Sequence, residues 1–219
     1  MKRFYNFLIL SLLSVPVLAQ SNATKNDPEA TAVLKSVSDK FKTFKTVEAN
    51  FSYKVEDASG KNMGTKTGTV WMKGKSYKVK FAGQEIFSDG TTVWNYDNSA
   101  NEVTISTLDE SGGMITPQKL FTNFYDKDFF SVLNGEKKVG NKTLQEIEMT
   151  PTDKGKAFHK VYLMIDKSAK TIYSTKVLEN GGNRYTYTVT NMKTNQPIGD
   201  NIFVFNKNNF PGVDEVDLR

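Results

Sequence analysis

Between residues 47 and 107 the apolar positions recur with a period of two, rich in β-branched and aromatic side chains and broken at short intervals by glycine, asparagine, aspartate and serine. That pattern predicts strands over 49–55, 63–72, 77–81, 85–88, 92–96 and 102–107. The breaks at Ser59-Gly60, Gly74-Lys75-Ser76, Ala82-Gly83, Asp89-Gly90 and Asn98-Ser99 are short enough to close antiparallel hairpins. After Asn134-Gly135 the alternation resumes and predicts strands over 143–149, 156–166, 171–178, 184–192 and 202–205, with turns at 152–155, 166–168 and 180–182. Tyr77, Val79 and Phe81 alternate with Lys78 and Lys80, which gives that strand one apolar and one wet face. The expectation is a meander that needs cover on one side only.

Two segments follow the helical period instead. Ala30, Val33, Leu34, Val37, Phe41 and Phe44 form one stripe, Asp27 can cap the helix and Pro28 suits its first position. Between 108 and 133, Ser111-Gly112-Gly113 reads as a hinge-like loop and Thr116-Pro117 as a helix start. Leu120, Phe121, Phe124 and Tyr125 continue at helical spacing, with Phe129 and Phe130 beyond. Ahead of both, Lys2 and Arg3 lead into an apolar run that ends in Val17-Leu18-Ala19 before Gln20, the layout of a cleaved secretory signal. The run is shorter than the ~20 residues that span a bilayer and is interrupted by Pro16. Residues 1–19 are therefore expected to be a signal peptide and 20–219 one exported domain. Position 20 is not cysteine, so the chain carries no lipid attachment point there.

Composition narrows the chemistry. Cysteine is absent, which excludes disulfides, thiolate metal sites and cysteine nucleophiles. The formal charge is +5, and two of those charges leave with Lys2 and Arg3, so nothing favours nucleic acid as a partner. The aromatic content, 15 Phe, 9 Tyr and 2 Trp, is high for so charged a chain. Such rings serve either a sealed core or a cavity for an apolar ligand, and the residues alone leave both open.

Enzymatic and metal motifs do not assemble. The single histidine, His159, lies in a predicted strand with no G-x-S-x-G serine to activate. Gly68 to Ser76 misses P-loop spacing by one residue and reads as strand into turn. Asp97-Asn98-Ser99 lacks the glycine and closing glutamate of an EF-hand loop, and Asn141-Lys142-Thr143 is a sequon of the kind that arises by chance. The carboxylate pairs Asp126/Asp128 and Asp214/Glu215 read as solvated charge. No cofactor and no metal are expected, and the chain is read as no enzyme.

Three stretches carry a resemblance. They are Phe44-Lys45-Thr46-Val47-Glu48-Ala49-Asn50-Phe51; Gly68-Thr69-Val70-Trp71-Met72-Lys73 with Ser88-Asp89-Gly90-Thr91-Thr92-Val93-Trp94-Asn95-Tyr96; and Phe203-Val204-Phe205 with Phe210-Pro211-Gly212-Val213-Asp214. In this order they resemble the LolA family of periplasmic outer-membrane lipoprotein carriers. The resemblance implies a mainly β (α+β) fold: an unclosed antiparallel β-barrel with helices covering a concave hydrophobic face as a lid. It further implies a periplasmic carrier, with three partners: acylated lipoproteins as cargo, an inner-membrane ABC-type release complex and an outer-membrane acceptor. The expected acyl-chain lining is Tyr77, Val79 and Phe81 from the sheet, Val37 and Phe41 from the first helix, and Leu120, Phe121 and Phe124 from the second. Trp71, Trp94 and Tyr96 match family positions. The family's arginine after the W-x-K strand has no counterpart, because the turn here is Lys73-Gly74-Lys75-Ser76. A monomer is expected. The alternatives are a lipid- or glycolipid-binding or sensor protein of the same fold, and an exported hydrolase.

Overall fold

The computed structural model describes residues 25–108 and 128–219. One helix, α1 (Pro28–Lys42), precedes twelve strands: β1 (Thr46–Glu56), β2 (Asn62–Lys73), β3 (Ser76–Phe81), β4 (Gln84–Ser88), β5 (Thr92–Asp97), β6 (Glu102–Thr107), β7 (Phe129–Val139), β8 (Lys142–Pro151), β9 (Phe158–Asp166), β10 (Thr171–Glu179), β11 (Arg184–Thr194) and β12 (Asp214–Asp217). All twelve lie in one sheet, in the order β12-β6-β5-β4-β3-β2-β1-β11-β10-β9-β8-β7. Two antiparallel meanders, β2–β6 and β7–β11, are joined through β1, which pairs with β2 on one side and β11 on the other. The outermost strands, β12 and β7, do not pair with each other, so the barrel stays unclosed.

Most elements fall where period and turn residues placed them, and three do not. Residues 129–139 form strand β7 rather than the end of a helical insertion. Asn134-Gly135 is not a turn but a bulge inside β7: the register with β8 shifts between Leu133 and Gly135, and Gly135 takes φ +119. Residues 202–205 are not a strand; Asp200–Phe203 is a 3₁₀ turn that buries Phe203. The chain then returns to the sheet edge as β12, the one strand that pairs parallel, with β6.

Helix α1 lies across one face of the sheet, the inner face. Asp27 caps it: one carboxylate oxygen accepts from the Glu29 N–H at 2.9 Å, Pro28 follows, and Lys40 and Lys42 sit in the last turn. Ala30, Leu34 and Val37 pack on Phe129, Ile147, Met149, Val161, Leu163, Ile165 and Ile172 of β7–β10. Toward its C-terminal end Phe41 and Phe44 reach Val47, Ala49, Val70, Met72 and Tyr77 of β1–β3. Both ends are tied down. Asp27 also donates its N–H to the Ser131 carbonyl, and its second carboxylate oxygen accepts from the Leu133 N–H on the free edge of β7. Beyond the helix, the Lys45 N–H donates to the Asn195 side chain and the Thr46 hydroxyl to the Gln196 carbonyl.

The outer face is not simply wet. Register places Lys78 opposite Phe87, Phe87 opposite Trp94, and Trp94 and Tyr96 opposite Ile105 and Val103, so these side chains share the side away from Val79 and Ile86. The segment after β11 covers them: Phe205 and Phe210 stack on each other with centroids 4.6 Å apart and lie on Phe87 and Tyr96, with Val213 buried beside them. The expectation of cover on one side only is thus corrected. The apolar row of β4–β6 that faces outward needs a lid of its own, and the C-terminal tail supplies it.

Candidate functional site

The inner face reads as a graded row of side chains. On β1, Val47, Ala49, Phe51, Tyr53 and Val55 point the same way. Pairing with β2 and β3 adds Met72, Val70, Tyr77, Val79 and Phe81 to that side, and pairing with β11 adds Met192, Val189, Tyr187 and Tyr185. Near the α1–β1 turn the row is buried beneath Phe41 and Phe44, whose rings meet edge to face at 5.8 Å. At the opposite end of β1 it becomes aromatic and half-open. Phe81 meets Phe51 at 5.6 Å and Tyr53 at 5.3 Å, and Tyr53 meets Tyr187 at 4.8 Å. Tyr187 remains 42% exposed.

Gly68 makes room for the Phe51 ring. It sits between Phe51 and Phe81 in register, and a Cβ there would come within 2.5 Å of the Phe51 ring and 2.8 Å of the Lys80 carbonyl. Burial pushes the Tyr53 phenol up to about 12, with nearby Tyr187, Tyr185 and Glu179 adding to it, and burial likewise raises Tyr187 and Tyr77. Such phenols stay neutral and behave as aromatic surface with a hydrogen-bonding tip.

The expected lining is brought together in part. Phe41, Tyr77 and Val79 meet in one cluster, Val37 sits one turn back against β7–β10, and Phe81 anchors the aromatic end. Val37, Phe41, Phe44, Ile172 and Met192 frame a crevice beside Lys170 and Thr171 with about 10 Å³ of open volume, room for one water. Leu120, Phe121 and Phe124 lie outside the described residues, as do the Ser111-Gly112-Gly113 hinge and residues 1–19. Trp71, Trp94 and Tyr96 are on the outer face, away from this row. The Lys78 ammonium lies 4.4 Å from the Phe87 ring centroid and pairs with Glu85 at 2.8 Å. The residues that sequence reasoning missed are Phe51, Tyr53, Tyr185 and Tyr187; their alternation within two predicted strands was the available signal.

The S-D-G-x-x-x-W-x-Y element has a structural explanation. Asp89 accepts the N–H groups of Thr91 and Thr92, both at 2.8 Å, Gly90 takes φ +94 against Lys75, and fully buried Ser88 precedes them. The turn sets the register that sends Trp94 and Tyr96 outward. Where the family's arginine is missing, Lys73 at the end of β2 holds the C-terminal tail, reaching Asp200 at 2.7 Å and the Ile198 carbonyl at 3.2 Å.

Among the described residues no cluster of His, Asp and Glu could hold a metal ion, and no helix is long and apolar enough to cross a membrane. An unclosed barrel with an aromatic inner face and a helix laid over it offers half-open apolar surface along that face. Residues 42–206 match the family model described as outer membrane lipoprotein carrier protein LolA, and the chain belongs to that family. An outer-membrane lipoprotein carrier protein from Cupriavidus necator is 30% identical over 162 residues, covering 69% of this chain and 72% of its own. A carrier of the same description from Pasteurella multocida is 29% identical over 164 residues, covering 73% and 75%. The crystal structure of an uncharacterized conserved protein from Thermus thermophilus matches with a TM-score of 0.59 at 14% identity, covering 86% of this chain and 99% of that one, which shows a shared fold.

Proposed function

We propose that this protein is a non-enzymatic periplasmic carrier of acylated lipoproteins. It is exported by a cleaved signal at 1–19, folds as one domain over 20–219, receives cargo from an inner-membrane ABC-type release complex and passes it to an outer-membrane acceptor. The observation that carries this reading is the half-open aromatic row on the inner face, continuous with the buried row under α1. From Val47 to Tyr53 that row runs about 20 Å at the rise of a strand. An acyl chain occupying half of a ~30 Å bilayer core needs about 15 Å. Each methylene taken out of water contributes about 0.8 kcal/mol, so ten of them give about 8 kcal/mol, enough for micromolar retention against the aqueous phase.

The crevice at the C-terminal half of α1 has room for only one water, so seating a chain requires Phe41 and Phe44 to lift from Met192 and Ile172. That motion leaves the Asp27 anchor at the other end of the helix in place. The proposed lining is Val37, Phe41, Tyr77, Val79 and Phe81, joined by Leu120, Phe121 and Phe124, with Phe51 and Tyr53 added at the open end. Native mass spectrometry of the protein released gently from its own periplasm tests the reading. A one-to-one complex with an acylated polypeptide is expected. Free lipid or glycolipid in its place would move the protein to a lipid-binding role. Empty protein that also fails to take up a lipoprotein from membranes would overturn carriage.

A further inference from the structure

The open end of the inner row is built from phenols, whereas a wall meant only for hydrocarbon would use Phe, Leu or Val, since every hydroxyl carried into an apolar site must find a partner. Register sets Tyr53 opposite Tyr187 and Val55 opposite Tyr185. Tyr53 stacks on Tyr185 with centroids 5.8 Å apart and an interplanar angle of 7°, and tilts against Tyr187 at 4.8 Å. The Tyr185 hydroxyl donates to Glu179 at 3.1 Å. Tyr53 and Tyr187 carry the other two phenols of this cluster, on rings 4.8 Å apart. Tyr187 is the most exposed ring of the three.

On the strength of the carrier reading, we propose that Tyr53 and Tyr187 form a hydroxyl shelf that donates to the ester carbonyls where acyl chains join their head group. The protein then reads the junction of the cargo as well as its chains. The length of the row is compatible with this: a chain of about 15 Å laid with its tail beneath Phe41 and Phe44 brings its first carbonyl to within about 5 Å of the tyrosine end of a row about 20 Å long, a gap that a phenol side chain can span. Burial holds both phenols protonated through the physiological range, so the donor is always available.

The test uses the full mature chain and the double variant Tyr53→Phe/Tyr187→Phe, which keeps both rings and removes both hydroxyls. Three probes are titrated: diphenylhexatriene, which has no acceptor; a synthetic peptide with an S-diacylglyceryl cysteine; and a phospholipid with the same two chains. The variant is expected to bind the hydrocarbon as the wild type does and the diacylated peptide about tenfold more weakly, the size of one hydrogen bond. A matching loss for the phospholipid supports the ester contact; a loss confined to the peptide overturns it. Equal binding of the peptide by both proteins, or an equal loss for peptide and hydrocarbon, overturns the shelf. Wild-type protein that binds none of the probes overturns the carrier reading itself. Tyr187→Phe alone, at the most exposed of the three rings, repeats the comparison should the double variant lose its fold.

Discussion

Asp27 holds two structures together at once, and its replacement separates their contributions. Asp27→Ala removes the N-cap acceptor of the Glu29 N–H, worth about 1 kcal/mol, and strands the part-buried Leu133 N–H on the edge of β7, which costs about 1 kcal/mol more. A total near 2 kcal/mol lowers the melting temperature by roughly 4–8 °C in a chain of this size. Asp27→Asn keeps one acceptor oxygen for the cap, but its amide NH2 cannot accept from the Leu133 N–H, so it loses that bond, about 1 kcal/mol, and retains the share of the cap. Urea unfolding followed by far-UV circular dichroism, with the m-value checked for constancy, measures both variants. The Ser131 N–H stays bonded to Asn26 in each, so β7 is not wholly released. If Asp27→Ala unfolds within about 0.5 kcal/mol of wild type, the anchor carries no weight. If Asp27→Asn falls as far as Asp27→Ala, the cap bond to the Glu29 N–H carries no weight of its own.

Three further outcomes follow from other parts of the molecule. Burial works to raise the Asp166 carboxyl, but the Lys142 ammonium, the Ala169 N–H and the Ser168 hydroxyl outweigh it and hold it at about 2 instead of 3.8. Its contribution of about 2 kcal/mol is complete above pH 3.8 and disappears as pH falls through about 2. Asp166→Asn should therefore be less stable at neutral pH and converge with wild type in acid; a gap that persists unchanged to pH 2 contradicts this. Phe210→Ala opens the tail over Phe87 and Tyr96 and should destabilise by about 2 kcal/mol with increased dye binding to exposed apolar surface, so unchanged dye binding would mean the tail does not seal that face. Gly68→Val forces the Phe51 ring off its seat at a loss of about 1–3 kcal/mol and weakens hydrocarbon-probe binding. A fully stable variant with unchanged probe binding would show that the seat of Phe51 over Gly68 is dispensable.

Local pattern made α1 and ten of the twelve strands legible, because period and turn chemistry are properties of a few neighbouring residues. Strand β7 escaped because Phe129-Phe130 breaks its alternation and Gly135 makes a bulge that imitates a turn. Strand β12 escaped because Asp214-Glu215-Val216-Asp217 has no strand character until β6 lies beside it. Alternation assigned Trp94 and Tyr96 to one side of a strand, but only the register across β3, β4 and β5 says which side of the sheet that is. The candidate site divides in the same way. Tyr77 and Val79 sit in one short strand and were readable there. Tyr53 and Tyr187 come from distant parts of the chain and meet only through the pairing of β1 with β11.

That pairing governs how the molecule can assemble. Val47 finds Thr194 across about two thirds of the length of the chain, whereas every other antiparallel seam joins consecutive strands. As the polypeptide emerges from its N-terminal end, each meander can zip locally, yet β1 must wait with one edge unsatisfied until β11 arrives. Closing so long a loop makes this seam the slow step of maturation, the moment at which a nascent copy is most open to capture by a second one.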